Sequence, residues 1–400
     1  MSKSNKWIAK GAVGAALGAL VLSACGSSGG ASSNASAKNS TITVGTFGPE
    51  SGPFGAIHTI NDGTVAYFDA LNAKGGIDGH KIKVVRGDDQ YNPALTPGVA
   101  RKLVSQGAQM MCGGVGSPEN LAIKPYLAQL GIPDIAPASG SPSLFMPPTP
   151  TEFGVVPPYQ REVANLIRFA VTKLHMKRIA FAYETDDVGV PGLAGAKAEM
   201  AALGQKLVAT VSFSVTATSL TTQAAELKAA NPDMVIVWAV APPMALLVND
   251  STQIGFRPAW GGPFFSEDPS TLALTNGALE ANSYWESWIV PSNSPVAAPA
   301  HSAASKYFPS DKVDVNFMQG WELGNACAKV IAKAAAAGNV SSKGLSRAAS
   351  NLTINDGYIS GLSWNSQSHL GNAKERVYKT VGQNFVAQTP LQQLPNVPVS

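Results

Sequence analysis

Serine and glycine residues occupy the positions at which this sequence is best placed to bind a small molecule. They form two loops, Gly-Gly-Val-Gly-Ser-Pro at residues 113–118 and Ala-Pro-Ala-Ser-Gly-Ser-Pro at residues 136–142, and each loop follows a predicted strand. Hydroxyl groups and backbone amides near a helix N-terminus hold an anion without a buried countercharge. For Ser117 the alternative is a structural role, because Ser before Pro118 also suits a helix N-cap.

Residues that could carry catalysis lack the spacing that catalysis requires. Beyond residue 40 the sequence contains no Gly-x-Ser-x-Gly nucleophile elbow, and it has no phosphate-binding Gly-x4-Gly-Lys-Ser/Thr loop and no His-Glu-x-x-His zinc motif. The five His residues are scattered without metal-ligand spacing. We therefore expect a protein that is not an enzyme and that has no cofactor and no metal.

The N-terminus has the features of a secretory signal. Three lysines within residues 1–10 precede an apolar, uncharged run at residues 11–21. That run is shorter than the ~20 residues needed to cross a bilayer, which argues against a permanent membrane span. We expect residues 1–24 to be a signal peptide that is removed.

A cysteine at the predicted cleavage site narrows this interpretation. Leu-Ser-Ala-Cys, ending at Cys25, resembles the lipobox of bacterial lipoproteins, which implies that Cys25 carries a lipid. Residues 26–40 are almost entirely Gly, Ser, Ala and Asn, a composition typical of a flexible tether. We expect residues 25–40 to form a lipidated tether that anchors an extracytoplasmic protein to the bacterial cell membrane.

The charges of the mature chain balance. The predicted signal holds three of the 29 Lys and Arg residues and none of the 26 Asp and Glu residues, so its removal leaves 26 of each sign. A neutral chain without basic runs argues against nucleic-acid binding.

Two cysteines, Cys112 and Cys327, lie beyond the predicted anchor. They could form a disulfide outside the cytoplasm if the fold brings their Cα atoms within about 7 Å. The interpretation that we favour is two separate buried thiols that pack as small hydrophobic groups.

The elements that must position the two loops alternate between strand and helix. This alternation predicts an α/β fold with parallel sheets covered on both sides. A Pro-rich passage at residues 142–158 separates two such units, and ligands in such sheets bind beyond the carboxyl ends of the strands.

The first unit has predicted strands at 41–47, 81–86, 109–112 and 133–136, and helices at 61–73, 95–106 and 118–130. The second has helices at 161–174, 192–203, 220–230 and 244–254, strands at 178–183, 207–213 and 233–239, and a strand ending near 260–262. A second Pro-containing passage at 291–299, a long helix at 315–337 and strands at 376–380 and 384–388 complete the chain.

An ordered set of motifs carries a family resemblance. Ser-Gly-Pro at residues 51–53 follows the first strand, Asn-Ala-Lys-Gly-Gly-Ile at 72–77 ends the next helix, and Asp-Asp stands at 88–89. With the two serine-containing loops, these motifs resemble the leucine/isoleucine/valine-binding protein family, the type I periplasmic binding proteins that serve ATP-driven importers. The resemblance extends over about residues 41–388 and is strongest up to residue 142.

The resemblance implies two Rossmann-like lobes joined by three crossovers, with a ligand cleft between them. We place the N-terminal lobe in residues 41–157 and 292–352. The C-terminal lobe is placed in residues 158–291 and 353–390, and a tail in residues 391–400.

The resemblance also implies site residues in the N-terminal lobe. In the family, a hydroxyl and amides after the third and fourth strands bind an amino-acid carboxylate, which implies ligand contacts for Ser117, Ala138, Ser139 and Gly140. The family's threonine position falls on Gly140, so one hydroxyl is lost unless a neighbouring serine replaces it. Phe54 is expected to lie over the ligand.

The C-terminal lobe departs from the family pattern. The positions of the tyrosines and the acidic residue that receive an amino-acid ammonium fall here on Val188, Val240 and Phe264. A buried ammonium without a carboxylate is costly, so an α-amino acid is disfavoured unless Asp187 or Glu267 substitutes. Further apolar surface is expected from Trp238, and from Phe317 on the hinge side.

The function expected is that of a monomeric substrate-binding lipoprotein of an ABC importer. It would capture a small carboxylate with an apolar or aromatic body by hinge closure and deliver it to the permease subunits, an amino acid being the alternative ligand. A ligand-sensing module of the same fold is the alternative function, and an exported hydrolase is a further one that lacks a visible nucleophile and base.

Overall fold

The computed structural model of the protein describes residues 40–280 and 282–399. The first sheet contains β1 Ile42–Gly48, β2 Ile82–Asp88, β3 Met110–Cys112, β4 Asp134–Ile135 and β5 Glu152–Phe153. All five strands are parallel, in the order β2-β1-β3-β4-β5. The central β1 is buried along nearly its whole length, as expected for a parallel strand with helices on both faces.

The second sheet is larger and mixed. Its strands are β6 Ile179–Glu184, β7 Ala209–Phe213, β8 Met234–Trp238, β9 Ala259–Gly262, β10 Ser283–Ser287, β13 Lys374–Val381, β14 Asn384–Ala387 and β15 Gln392–Gln393. The order is β14-β13-β10-β9-β8-β6-β7, with β15 paired to β13. The strands β6 to β10 pair in parallel, and β13 joins them antiparallel. A two-stranded antiparallel ribbon is formed by β11 Thr353–Ile354 and β12 Leu362–Ser363.

Helices connect and cover the strands. Those between strands of the first sheet are α1 Thr59–Ala73, α2 Thr96–Ser105, α3 Ser117–Leu130 and the short α4 Pro142–Phe145. The second sheet is connected by α5 Tyr159–Thr172, α6 Gly189–Ala202, α7 Thr221–Ala229, α8 Ala241–Gln253 and α9 Pro269–Leu274. Later come α10 Ala298–Tyr307, α11 Val315–Ala336 and α12 Ser342–Ala349. Three single-turn 3-10 helices cover Gly55–Ile57, Phe264–Ser266 and Pro295–Ala297.

The long helix α11 returns to the first sheet and packs closely against α1. A Cβ on Gly320 would lie 1.7 Å from the carbonyl oxygen of Ile60, and one on Gly63 would lie 2.1 Å from that of Phe317. The hydroxyl of Thr64 donates to the carbonyl oxygen of Gly320 over 3.0 Å. The glycines therefore allow the two helix backbones to touch, which fixes α11 beside the loops of the first sheet.

A disulfide joins α11 to the first sheet. Cys112 at the end of β3 is bonded to Cys327 of α11, with Cα atoms 6.2 Å apart. Our prediction of two separate thiols is therefore wrong, although both side chains are fully buried as expected. The error arose because sequence spacing does not show that a helix 215 residues later packs against the end of β3.

The chain passes between the two sheets more than once. After β5 it enters the second sheet, and α10 and α11 then pack against α1 before β13 completes the second sheet. We call the part built on the first sheet, with α10 to α12, the N-terminal lobe, and the part built on the second sheet the C-terminal lobe. The residue limits assigned to the lobes from the sequence stay a prediction. Residues 391–400, which the sequence analysis assigns to a tail, include the strand β15.

Most strands and helices lie where the sequence pattern predicts them, and the α/β fold class is confirmed. The pattern missed β5, which has only two residues inside the Pro-rich passage, and β10, whose five buried residues do not alternate. It also missed α9, α10 and α12. Along the described part of the chain, no helix is both long and apolar enough to span a membrane. Residues 1–24 and Cys25 lie outside the described residues.

Candidate ligand-binding site

A cavity of about 400 Å³ lies between the loops at the carboxyl ends of the two sheets. Open α/β sheets place ligands at this edge. The N-terminal lobe lines it with Pro53, Phe54, Ala56, Ile57, Ile60, Tyr91, Val115, Gly116, Ser117 and Ala138, together with Asn316 and Gln319 of α11. The C-terminal lobe lines it with Tyr159, Val188, Val240, Ala241, Pro242, Ala245, Leu246, Asn249, Phe264, Phe265, Ser270 and Leu274.

The structure brings part of the predicted site set together around this cavity. The predicted residues that line it are Phe54, Ser117, Ala138, Val188, Val240 and Phe264. The predicted residues that do not line it are Ser139, Gly140, Asp187, Trp238 and Phe317. Glu267, considered as a substitute acid, lies beside a separate pocket.

Ser117 is part of a buried hydroxyl group cluster at one end of the cavity. Its Oγ lies 2.7 Å from the Oγ of Ser139 and 3.2 Å from the phenol oxygen of Tyr159. The Oγ of Ser139 also accepts from the amide of Ser141. The N-cap of α3 is Gly116, and Ser117 makes no capping hydrogen bond, so the capping alternative is wrong. We call Ser117, Ser139 and Tyr159 the hydroxyl cluster.

Tyr159 belongs to the site although sequence reasoning did not select it. It begins α5, directly after the crossover from the first sheet, and burial raises the pKa of its phenol. The phenol therefore stays protonated and is able to donate a hydrogen bond. Pro157 and Pro158, which precede it, mark a chain crossover in the sequence but give no signal that the next side chain faces a ligand.

The remaining predicted residues support the cavity wall from behind. Trp238 is fully buried and packs edge-to-face against Tyr159 and Phe265, with ring centroids 5.9 Å apart in each pair. A Cβ on Gly140 would lie 2.1 Å from the carbonyl oxygen of Pro157, so the site of the family's threonine has no room for a side chain. Phe317 is fully buried where α11 meets α1.

The cavity wall is apolar and carries no charged side chain among the residues described. Phe54 packs against Tyr91 in a tilted arrangement with ring centroids 4.8 Å apart, and both rings line the cavity. Outside the hydroxyl cluster, the polar side chains on the wall are Tyr91, Asn249, Ser270, Asn316 and Gln319. None of these can supply the negative charge that a buried ammonium requires.

Two buried carboxyl groups stand directly behind this wall. A Cβ on Gly116 would lie 2.0 Å from Oε2 of Glu119, and Oε1 of Glu184 accepts from the amide of Val240 over 2.9 Å. Burial raises the pKa of Glu119 to about 8 and, aided by the charge of Asp186, raises the pKa of Glu184 well above its ordinary value. Burial therefore shifts both groups towards the uncharged form, which lessens their repulsion of an anion in the cavity.

A sequence model described as periplasmic binding protein matches residues 41–383. The chain belongs to this family. The resemblance to the leucine/isoleucine/valine-binding proteins is confirmed, and these relatives are named as binding proteins.

Curated relatives match the chain over part of its length. The Leu/Ile/Val-binding protein of Escherichia coli (strain K12) is 27% identical over 214 residues, which are 53% of this chain and 57% of that protein. The Leu/Ile/Val-binding protein BraC3 of Rhizobium johnstonii is 31% identical over 104 residues, 26% of this chain and 28% of that protein. The chain thus spans little more than half the length of the Escherichia coli protein and less than a third of BraC3.

Solved structures share the fold over nearly the whole chain. A fatty acid ABC transporter substrate-binding protein from Thermomonospora curvata matches with a TM-score of 0.80 and 19% identity, covering 90% of this chain and 95% of that one. A branched chain amino acid ABC transporter protein from Thermus thermophilus with bound valine matches with a TM-score of 0.78 and 20% identity, covering 88% and 96%. The two-lobe type I periplasmic binding protein fold is therefore confirmed.

Proposed function

We propose that this protein is the substrate-binding lipoprotein of an ABC importer of the branched-chain-amino-acid type, and that its ligand is a small carboxylate with an apolar body. One observation carries the proposal. The cavity wall holds the paired hydroxyls of Ser117 and Tyr159, and the rest of the wall is largely apolar and without charge among the described residues.

The hydroxyl cluster suits a carboxylate. Ser117 stands at the start of α3, where the first backbone amides have no partner within the helix and the helix dipole favours negative charge. The Ser117 hydroxyl and the protonated phenol of Tyr159 add two rotatable donors from the two lobes. A carboxylate between them would accept hydrogen bonds from both lobes, and this would favour hinge closure over the ligand.

The remainder of the cavity lining suits an apolar body rather than an ammonium. Val188, Val240 and Phe264 stand where the family's ammonium-binding residues fall, and all three line the cavity. Asp187, the acidic substitute considered, does not line it. A fatty acid, the ligand class named for the Thermomonospora curvata protein, combines one carboxylate with an apolar body and has no ammonium.

Calorimetry with matched ligand pairs tests the ligand class. The chain carrying Cys25→Ser would be titrated with leucine and 4-methylpentanoate, and with phenylalanine and 3-phenylpropanoate, because each pair differs only in the α-ammonium group. We expect the acid without ammonium to bind at least about tenfold more tightly in one or both pairs. Tight leucine binding with no binding of either acid would contradict the proposal.

Two serine variants, one in the cavity and one on the surface as a control, test the role of the Ser117 hydroxyl. Ser117→Ala should weaken binding of the acid by about tenfold or more, the usual range for a hydrogen bond to a charged group. Ser105→Ala changes an exposed serine of α2, whose hydroxyl bonds only within its own helix, and should leave the affinity unchanged.

The membrane anchor is tested separately. We propose that Cys25 carries the lipid and that the monomeric protein delivers ligand to the permease subunits. Metabolic labelling with a radioactive fatty acid should label the wild-type chain and not Cys25→Ser. Equal labelling of both chains would contradict lipidation at this residue.

A further inference from the structure

Three potential metal ligands converge at the start of α1, beside the ligand cavity but outside it. His58 precedes the first residue of α1, and Asp62 lies one helical turn later on the same face. The Nδ1 atom of His58 is hydrogen-bonded to Oδ2 of Asp62 over 2.5 Å, so an ion held by both atoms would take the place of the shared proton. A histidine and an aspartate four residues apart on a helix present both ligand atoms to one point in space.

The third ligand, Asp311, comes from the loop between α10 and α11. Its ligand atom lies within 4.8 Å of those of His58 and Asp62, and the three form a mutually close group. The Oδ1 atom of Asp311 accepts from the hydroxyl of Ser310. Its Oδ2 atom is buried and has no hydrogen-bond donor among the described residues. A buried carboxylate oxygen without a donor, next to a second carboxylate, needs either a proton or a cation.

The side chains around the group carry more negative than positive charge, which favours a divalent cation. Arg86 donates from Nη1 to Oδ1 of Asp62 over 2.6 Å and from Nε to Oε1 of Glu50 over 2.8 Å. One guanidinium thus pairs with two carboxylates, those of Glu50 and Asp62, and Asp311 adds a third carboxylate to the group. An imidazole that coordinates an ion is neutral, so in the ion-bound group the three carboxylates and one guanidinium leave two negative charges, which a divalent cation would balance.

We propose that His58, Asp62 and Asp311 form a binding site for a divalent first-row transition-metal ion of the Zn²⁺ class. One imidazole nitrogen with two carboxylates is a ligand set that Zn²⁺ accepts, whereas Ca²⁺ and Mg²⁺ prefer oxygen ligands alone. The side chain of His58 is 40% exposed, so an ion can enter from solvent and a water molecule can complete the coordination. Arg86 would then hold the second oxygen of Asp62 and orient that ligand.

The proposed metal site lies next to two segments of the chain that line the ligand cavity. His58 directly follows the single-turn helix Gly55–Ile57, and Ile57 lines the cavity. Asp311 leads into α11, whose Asn316 and Gln319 line the same cavity. A bound ion would therefore tie together two segments of the cavity wall in the N-terminal lobe. The proposal stands independently of the nature of the transported ligand.

Sequence spacing did not indicate this group. A histidine and an aspartate four residues apart are not by themselves a metal-binding signal, and Asp311 lies far along the chain. Only the packing of α10 and its following loop against α1 brings the third ligand to them.

Titration calorimetry with Zn²⁺ tests the site. The protein would be untagged, so that no polyhistidine competes, would carry Cys25→Ser, and would first be treated with chelator. We expect one Zn²⁺ per chain, with affinity at least tenfold weaker in His58→Ala and in Asp311→Asn. His301→Ala removes an exposed histidine outside this group and should bind Zn²⁺ like the parent chain. Ca²⁺ and Mg²⁺ should not displace the ion.

Spectroscopy distinguishes the loss of a metal ligand from the loss of the fold. Co²⁺ bound to the parent chain should give visible absorption typical of mixed nitrogen and oxygen ligands, and Asp311→Asn should lose it while keeping its far-UV circular dichroism. The proposal is overturned if the parent chain shows no saturable Zn²⁺ binding. It is also overturned if both variants bind the ion as the parent does, because the group would then be only a hydrogen-bonded network.

Discussion

The Ser117 hydroxyl of the N-terminal lobe lies 3.2 Å from the Tyr159 phenol of the C-terminal lobe, at one end of the ligand cavity. The two oxygens stand at the starts of α3 and α5, so each is fixed by a helix that packs on a different sheet. A ligand group that bonds both hydroxyls would therefore contact both lobes at once.

The contribution of Tyr159 is tested by Tyr159→Phe. The ring should stay packed against Trp238 and Phe265, so the fold should persist while one donor is lost. We expect the affinity for the preferred acid to fall about tenfold or more, because the hydrogen bond that is lost is made to a charged group. Tyr307→Phe, which removes a phenol bonded to the carbonyl oxygen of Asp69, is the control. Calorimetry that finds equal losses in the two variants would argue against a ligand contact by Tyr159.

The stability of the protein should depend on pH through Glu119. Burial raises the pKa of this carboxyl from 4.5 to about 8 in the folded chain. Its stabilising contribution is therefore complete below the unfolded pKa and is lost as pH rises from about 4.5 towards 8. One pKa unit corresponds to about 1.4 kcal/mol, so the loss is on the order of a few kcal/mol.

Urea unfolding of Glu119→Gln measures this dependence. Between pH 5 and pH 9 the variant should lose less stability than the wild type, because the neutral amide does not titrate. Glu226→Gln, at an exposed position on α7, should follow the wild type. Parallel pH profiles for wild type and Glu119→Gln would show that Glu119 is ionised in the folded state throughout.

The disulfide between Cys112 and Cys327 should stabilise the protein substantially. It closes a loop with a sequence separation of 215 residues, and long closed loops restrict the unfolded chain most. The double variant Cys112→Ser with Cys327→Ser should lose about 2–5 kcal/mol of unfolding free energy in denaturant titrations. Loss of less than about 1 kcal/mol would mean that the packing of α11 on the first sheet does not need the bond.

The contact between α1 and α11 is tested by a pair of glycine variants. Gly320→Ala places a methyl group 1.7 Å from the carbonyl oxygen of Ile60, so the helices must separate, at a cost of about 3 kcal/mol. Gly98→Ala, at an exposed position on α2 with open space around it, should be neutral or stabilise by about 0.4–1 kcal/mol. Thermal unfolding of both variants decides whether close helix approach is required.

The fold was largely predictable because most of its strands and helices carry strong local patterns. The alternation of buried strands with helices ending at glycines is visible in the sequence, and the ordered motifs up to residue 142 indicated the family. Elements such as β5 and β15 have two residues each and exist only because a neighbouring strand pairs with them. No local pattern marks such a strand.

The site was predictable only where it lies on loops after strands. Ser117 and Ala138 follow strands of the first sheet, and Val240 and Phe264 follow strands of the second, so topology alone points them towards the cleft. Tyr159 reaches the cavity through the crossover, which sequence periodicity does not describe. Glu119 and the His58 group depend on long-range packing and had no sequence signal that could separate them from ordinary surface or core residues. For the disulfide the sequence offered the two cysteines, but only the packing of α11 shows that they are close enough to bond.

A crystal structure with the tightest-binding acid of the calorimetric panel tests the central claim most directly. The account predicts its carboxylate within hydrogen-bond distance of both the Ser117 hydroxyl and the Tyr159 phenol, with its apolar body against Val240 and Phe264. A ligand bound with its charged group away from the hydroxyl cluster, or bound outside this cavity, would contradict the account.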